Sequence, residues 1–211
     1  MPVFFKKQIN DNILIGVWKI SESLEWLVSN IILDKEDSEI FNSFKTELRK
    51  KHWLTYRILL KELIDSKSDI KILYDKSGKP HIKNSNYYIS VSHSYEYVAA
   101  IVSRKVPAGI DIEKISQRIE RIKNKFLSET ELKDINENFR LKKLYAYWCA
   151  KEALYKLYGK RDLNFITNIK IVPFNFEQKG HINGELAGDS NSKKYKLFYE
   201  QVNDYMLVYV Y

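Results

Sequence analysis

The chain has one cysteine, few glycines and prolines, and no long apolar run. Cys149, the single cysteine in 211 residues, cannot form an internal disulfide or a cysteine zinc cluster, which indicates a reducing compartment. No apolar stretch approaches the length of a membrane span, and Phe4, Phe5, Lys6 and Lys7 do not open a signal peptide. We therefore expect a soluble, cytoplasmic protein with no membrane contact.

Size and charge limit the domain count and the kind of partner. With 211 residues and 45% hydrophobic content, the chain can form one large or two small domains, and no Gly/Ser-rich linker separates them. Thirty-five basic and twenty-seven acidic residues give a net charge of +8, which favours anionic partners. Charge alone does not distinguish a coenzyme, an acidic protein and a nucleic acid, so a basic nucleic-acid-binding module is one alternative.

The segment GIDIEK, Gly109–Lys114, has the pattern of a strand. Ile110 and Ile112 alternate with Asp111 and Glu113, so both carboxylates leave the same face, about 6.6 Å apart along the strand. Oxygen ligands favour Mg2+ or Mn2+ over zinc. The alternative is an amphipathic edge strand with two solvated acids.

The segment WCAKEALYK, Trp148–Lys156, has the composition of a helix that ends near a cap at Gly159. Glu152 and Lys156 are four residues apart and share one face. A solvated salt bridge is the simplest interpretation of such a pair, but the apolar flanks indicate a packed helix. Cys149 is predicted to be a small packing residue.

These two segments belong to a set of five that resembles the 4'-phosphopantetheinyl transferases. The other three are a G-K-P turn, an S-H-S motif and an F-x-S-x-x-E block, at Asp75–Pro80, Ser90–Ser94 and Lys125–Leu132. All five stand in the family's order and cover the chain from about residue 75 to 160. Members of this family load the phosphopantetheine arm of coenzyme A onto a serine of a carrier protein.

A weak internal repeat bears on the fold. The order helix, strand, basic turn and further strands occurs twice, although many α+β chains show a similar order by chance. The paired segments are Leu54–Ile64 with Trp148–Gly159, Lys71–Ile82 with Ile169–Ile182, and Ser94–Val102 with Val202–Val210. The resemblance to the family's long, monomeric branch implies two similar α+β halves, 1–106 and 107–211. It also implies a pseudo-twofold axis between them and an active site in the cleft.

The resemblance also assigns roles to individual residues. It implies that Mg2+, or alternatively Mn2+, bridges the pyrophosphate of coenzyme A and that 3',5'-ADP is released. The implied metal ligands are Asp111, Glu113 and Glu152; the implied catalytic residues are Glu152, Lys156 and Lys151; and the implied coenzyme-binding residues are Lys79, Ser92, His93, Arg49 and His52. Taken without the family, a turn lysine, a strand-end histidine and a basic helix face each have an ordinary structural interpretation.

The implied partner is an acidic apo carrier protein, either acyl or peptidyl, rather than a nucleic acid. The block Arg118–Leu132 has apolar residues among basic ones, the composition of a docking surface, but an amphipathic helix packed on the core would have the same composition. Its apolar members are Ile119, Ile122, Phe126 and Leu127, and its basic members are Arg118, Arg121, Lys123 and Lys125. A coenzyme-binding homologue without activity is a further alternative, and the pathway of the carrier is left open.

Overall fold

The computed structural model describes residues 3–67, 69–160, 163–187 and 192–211. The chain divides after Lys105 into two compact units, and each contains both helices and antiparallel sheet. The expected α+β class is therefore confirmed, whereas the pseudo-twofold relation remains a prediction. Within the described residues, no helix combines the length and the apolar character needed to cross a membrane.

The first unit is a four-stranded antiparallel sheet with helices, in the order β1-β2-β6-β5, accompanied by a β3-β4 hairpin. Its strands are β1 (Val3–Asn10), β2 (Ile13–Lys19), β3 (Ile72–Tyr74), β4 (Pro80–Ile82), β5 (Tyr88–Ser94) and β6 (Tyr97–Ser103), and its helices are α1 (Leu24–Ser29), α2 (Lys35–Ser43) and α3 (Glu47–Leu63).

Helix α3 forms the core of the first unit by packing on β2 and β6. The side chain of Thr46 accepts a hydrogen bond from the Arg49 amide and caps the helix. The helix therefore begins at Glu47 rather than at Leu54, where the sequence placed it. As a result, the basic residues before Trp53 lie within its first turns.

The second unit has a five-stranded antiparallel sheet in the order β7-β11-β10-β9-β8. Its strands are β7 (Gly109–Lys114), β8 (Ile169–Ile171), β9 (Lys179–Ala187), β10 (Ser192–Val202) and β11 (Tyr205–Val210); its α-helices are α4 (Glu129–Lys133) and α5 (Arg140–Tyr158); and two short 3-10 segments span Gln117–Arg121 and Lys123–Lys125.

Helix α5 lies across β7 and β11 and forms the core of the second unit. It ends as predicted at Gly159, whose φ of 72° lies in the left-handed region that glycine adopts without steric cost. A Cβ at Gly109 would lie 1.9 Å from the carbonyl oxygen of Ala153. Glycine at the start of β7 therefore allows the close approach of α5 to this strand.

Both units share one topological feature. In each, the last strand pairs antiparallel with a strand that precedes the long helix: β6 with β2 in the first unit and β11 with β7 in the second. The strand-turn-strand segments that the repeat comparison aligned also form antiparallel pairs, β3 with β4 and β8 with β9.

Candidate active site

The predicted metal strand and the predicted catalytic helix meet in the second unit. Asp111 of β7 is 3% exposed, and its Oδ1 accepts a hydrogen bond of 2.7 Å from the Nζ of Lys156 on α5. The same ammonium donates to the carbonyl oxygen of Ile110 at 3.1 Å. Thus two residues from separate motifs are in direct contact.

Glu152 lies one turn before Lys156 on α5, in a half-buried position. Burial raises the pKa of its carboxyl to about 7, and the negative charges of Asp111 and Glu113 act in the same direction, whereas Lys156 opposes them. These carboxylates are therefore near enough to repel one another. The arrangement concentrates negative charge that a cation would neutralise.

The carboxylates provide the right kind of ligand for a hard cation but not a complete site. In the described part of the chain, no group of three or more His, Cys, Asp or Glu side chains is arranged to hold a metal ion. The Lys156 ammonium occupies one oxygen of Asp111. The all-oxygen donor set is of the kind that suits Mg2+ or Mn2+.

Lys151 does not join this group, which corrects its predicted catalytic role. Its side chain is fully buried, and its Nζ donates to Glu131 Oε2 and to the carbonyl oxygens of Phe165 and Ile169, each at 2.8 Å. All three donors of the ammonium are therefore engaged within the core. Lys151 anchors α5 and does not reach a substrate from this position.

Glu131 is the glutamate of the F-x-S-x-x-E block, and the sequence analysis assigned it no role. It belongs to a capping box in which Ser128 and Glu131 each accept a hydrogen bond from the other's backbone amide. Its Oε1 also accepts the amide of Ile171 at 2.9 Å, and its Oε2 pairs with Lys151. The S-x-x-E spacing indicates the cap, but only the structure shows the contacts with α5 and β8.

The block Arg118–Leu132 packs on the core and is not an apolar docking patch. Ile119, Phe126 and Leu127 are 1–3% exposed, and Ile122 is partly buried against them. The block therefore packs on the core, as the alternative expected, but through 3-10 segments and the short α4 rather than one amphipathic helix. A docking surface formed by Ile119, Phe126 and Leu127 is excluded because these side chains have almost no exposed area.

A second group of predicted residues lies in the first unit, between α3 and β5. The guanidinium of Arg49 donates to the Nε2 of His93 at 2.6 Å, and the ring of His52 stacks on that of His93 at 4.2 Å. A guanidinium only donates, so the Nε2 of His93 is an acceptor and its Nδ1 carries the proton. His52 Nε2 donates to the carbonyl oxygen of Tyr95 at 2.5 Å, and burial, with the charge of Arg49, lowers its pKa.

Ser92 and Lys79 also lie in the first unit. Ser92 precedes His93 on β5 and is 6% exposed. Lys79 follows Gly78, which has a φ of 83°, in the tight turn between β3 and β4. The Asp75 carboxylate accepts the Lys79 amide at 2.9 Å and fixes this turn, and burial lowers the pKa of the Lys79 ammonium.

Two comparisons relate this chain to known proteins. Residues 107–210 match the family model described as the 4'-phosphopantetheinyl transferase superfamily. The chain is also similar to the protein named 4'-phosphopantetheinyl transferase gsp of Aneurinibacillus migulanus, with 28% identity over 155 residues. That match covers 67% of this chain and 64% of the relative, so it spans less than two thirds of the relative's length.

Proposed function

We propose that the chain is a member of the 4'-phosphopantetheinyl transferase superfamily, which its residues 107–210 match, and that it transfers the 4'-phosphopantetheine moiety of coenzyme A to a serine hydroxyl of an apo carrier protein. In this reaction the serine oxygen attacks the β-phosphorus of the coenzyme. The phosphoanhydride bond breaks, and 3',5'-ADP leaves.

The contact between β7 and α5 carries this proposal. It combines Asp111, Glu113 and Glu152 with the ammonium of Lys156, which lies 2.7 Å from Asp111. Phosphoryl transfer requires positioning and charge stabilisation more than a covalent nucleophile. Acidic ligands for a cation beside an ammonium that can face a phosphate meet that requirement.

The three carboxylates are proposed to hold Mg2+, with Mn2+ as a substitute. When bound, the ion would withdraw charge from the phosphoanhydride. The bonds of Lys156 to Asp111 and Ile110 use two of its three ammonium donors. The third donor is proposed to face the leaving phosphate and to stabilise its negative charge. Glu152 accepts the serine proton, directly or through water, consistent with its raised pKa in the metal-free protein.

The adenosine end of coenzyme A is assigned to the first unit. Lys79 and His93 are proposed to contact the 3'-phosphate, together with Ser92. Arg49 and His52 bring further donors to the same face of α3, since their side chains contact His93. Cationic and imidazole donors form strong, charge-assisted hydrogen bonds with phosphate oxygens.

The proposed partner is an acidic carrier domain, of the acyl or the peptidyl type, bound by a monomeric enzyme. The net charge of +8 favours association with such a protein. Fatty-acid, polyketide, peptide-synthetase and siderophore systems all use carriers of this kind.

Release of 3',5'-ADP tests the proposed reaction. The protein is incubated with coenzyme A and an acidic apo carrier domain, with Mg2+ or with EDTA, and nucleotides are separated chromatographically. We expect 3',5'-ADP only when carrier, enzyme and Mg2+ are all present. Affinity for RNA with a steep salt dependence and no nucleotide release would instead support a nucleic-acid-binding module.

A further inference from the structure

Tyr145 joins the first half of α5 to the residues that follow β7. Its hydroxyl is hydrogen-bonded to the hydroxyl of Ser116 at 3.0 Å, and Tyr145 is 6% exposed. Glu152 follows Tyr145 by seven residues and Lys156 follows it by eleven, which is close to two and three turns of a helix. Tyr145 therefore lies on the same face of α5 as the two proposed catalytic residues.

Side-chain hydrogen bonds thus connect α5 to this part of the chain at both ends of the candidate site. Lys156 donates to Asp111 at one end, and Tyr145 bonds to Ser116 at the other. The helix rises about 16.5 Å between its two partners at 1.5 Å per residue, and an extended chain rises about 16.5 Å between the other two at 3.3 Å per residue. The two contacts therefore match in spacing, with the helix and the strand running in opposite directions.

Glu113 and Glu152 lie between these two contacts, at nearly the same level. Glu113 is two residues beyond Asp111 on β7, a rise of about 6.6 Å. Glu152 is four residues before Lys156 on α5, a rise of about 6 Å in the same direction. The contact between Lys156 and Asp111 and the contact made by Tyr145 therefore both bear on how closely the two glutamates approach.

The phenol of Tyr145 lies close to Glu113. Burial raises the pKa of this phenol, the hydrogen bond with Ser116 lowers it, and the negative charge of Glu113 raises it. Cys149, one turn after Tyr145, has its Sγ 3.6 Å from the carbonyl oxygen of Met206, the residue that pairs with Glu113 in the sheet. Both observations place Glu113 beside the part of α5 that Tyr145 holds.

The carboxylates of the site oppose this arrangement. Burial raises the pKa of Glu152 and the charges of Asp111 and Glu113 add to the effect, so the three groups repel one another when they are ionised. Without a cation, the repulsion favours separation of α5 from β7. Hydrogen bonds that resist the separation keep the free protein close to the cation-bound arrangement, which raises its affinity for the cation.

We propose that Tyr145 is a positioning residue for the cation site, whose hydrogen bond with Ser116 holds Glu113 level with Glu152 so that β7 and α5 can share one divalent cation. This inference rests on the cation site of the proposed function. Without the phenol hydroxyl, the carboxylates move apart and the cation is bound more weakly.

Mn2+ binding tests this role separately from the transfer reaction. Electron paramagnetic resonance of free Mn2+ gives the Kd of the intact chain, with and without coenzyme A. Tyr145→Phe loses only the hydroxyl, and we expect its Kd to be about tenfold higher than that of the wild type. Ser116→Ala should weaken binding by a similar factor. The double variant should weaken it no further, because both changes remove the same hydrogen bond.

Tyr147→Phe is the matched control. Tyr147 is buried in the same helix, and its hydroxyl donates to Asp134 Oδ2 at 2.6 Å on another side of α5. This variant also loses a buried hydrogen bond, so we expect a lower thermal midpoint with the wild-type Kd for Mn2+. If Tyr145 only stabilised the fold, Tyr145→Phe would show the same pattern.

The possible results separate this inference from the proposed reaction. A wild-type Kd in Tyr145→Phe, or in Ser116→Ala if Tyr145→Phe does not fold, would show that the positioning role is wrong. Absence of saturable Mn2+ binding by the wild type, with and without coenzyme A, would overturn this role together with the cation site. The expected loss of Mn2+ affinity in a protein that modifies no carrier would support the role and contradict only the transfer reaction.

Discussion

At the residue scale, the site depends on which side chains of α5 face β7. Lys156 faces β7, since its ammonium donates to Asp111, and Glu152 shares this face because it lies one turn before Lys156. Lys151 precedes Glu152 by one residue and is rotated by about 100° around the helix, so it enters the core instead. Two adjacent residues of one motif thus have different roles: one is proposed to act on substrate and the other holds the helix.

Glu152→Gln tests the raised pKa of this carboxyl. A raised pKa means that the folded protein binds the proton more tightly, so this contribution to stability is present below pH 4.5 and lost as the pH rises through about 7. In EDTA, we expect the variant to be more stable than the wild type at pH 8 by on the order of 2 kcal/mol, with a much smaller difference at pH 5. Chemical denaturation at both pH values measures it.

The exposed Glu177 gives the control for this comparison, and Glu177→Gln should change stability little at either pH. An equal effect of Glu152→Gln at pH 5 and pH 8 would show that neither burial nor the charges of Asp111 and Glu113 raise the pKa of Glu152. Transfer activity should fall about 100-fold or more in the same variant.

The two lysines of α5 should differ in their effect on transfer. Lys151→Met leaves the buried carboxylate of Glu131 without its partner, so we expect the free energy of unfolding to fall by about 3–5 kcal/mol, with transfer retained by the folded protein. Lys156→Met leaves the carboxylate of Asp111, whose side chain is 4% exposed, without its partner, so it should also cost stability, but it should in addition nearly abolish transfer by the folded protein. Urea denaturation and initial rates distinguish them, and a stable Lys151→Met protein would contradict the anchoring role.

At the element scale, the spacing between β7 and α5 determines whether the acids and Lys156 meet. Only hydrogen at Gly109 permits the observed approach, since a Cβ there would overlap the carbonyl oxygen of Ala153. A backbone atom of a packed helix cannot move aside as the end of a side chain can. The helix as a whole would have to shift.

Gly109→Ala should therefore displace α5 and disrupt the site. We expect a loss of about 3 kcal/mol or more in stability and a large loss of transfer by the remaining folded protein. Gly184→Ala is the matched control, because the nearest atoms to its added methyl are the ends of the Leu197, Leu154 and Ile171 side chains, at 2.9–3.1 Å, rather than backbone. Similar effects of the two variants, measured by thermal unfolding and initial rates, would refute the special role of Gly109.

The turn between β3 and β4 tests the proposed coenzyme contact. Lys79→Ala should raise the KM for coenzyme A about tenfold with a smaller change in kcat, because a phosphate contact remote from the reacting bond contributes mainly to binding. Lys76→Ala is the control, as Lys76 is exposed in the same turn. An unchanged KM in steady-state kinetics would remove Lys79 from the phosphate site.

At the scale of the whole molecule, the sequence predicted the parts that depend on local patterns. Alternation in GIDIEK predicted β7, and Gly159 predicted the end of α5. The sequence did not show where α3 begins, because Thr46 and the packing of Trp53 determine its start. It also did not show that Phe126 is buried, because 3-10 segments precede it and no regular helix periodicity applies.

Intact mass spectrometry of the carrier tests the central proposal most directly. An acidic apo carrier domain is incubated with coenzyme A, Mg2+ and either the wild type or Glu152→Gln. We expect the wild type to add one phosphopantetheine to the carrier serine and the variant to leave the carrier unchanged over the same period. A carrier of unchanged mass with the wild type, across acyl and peptidyl carriers, would contradict the proposed reaction.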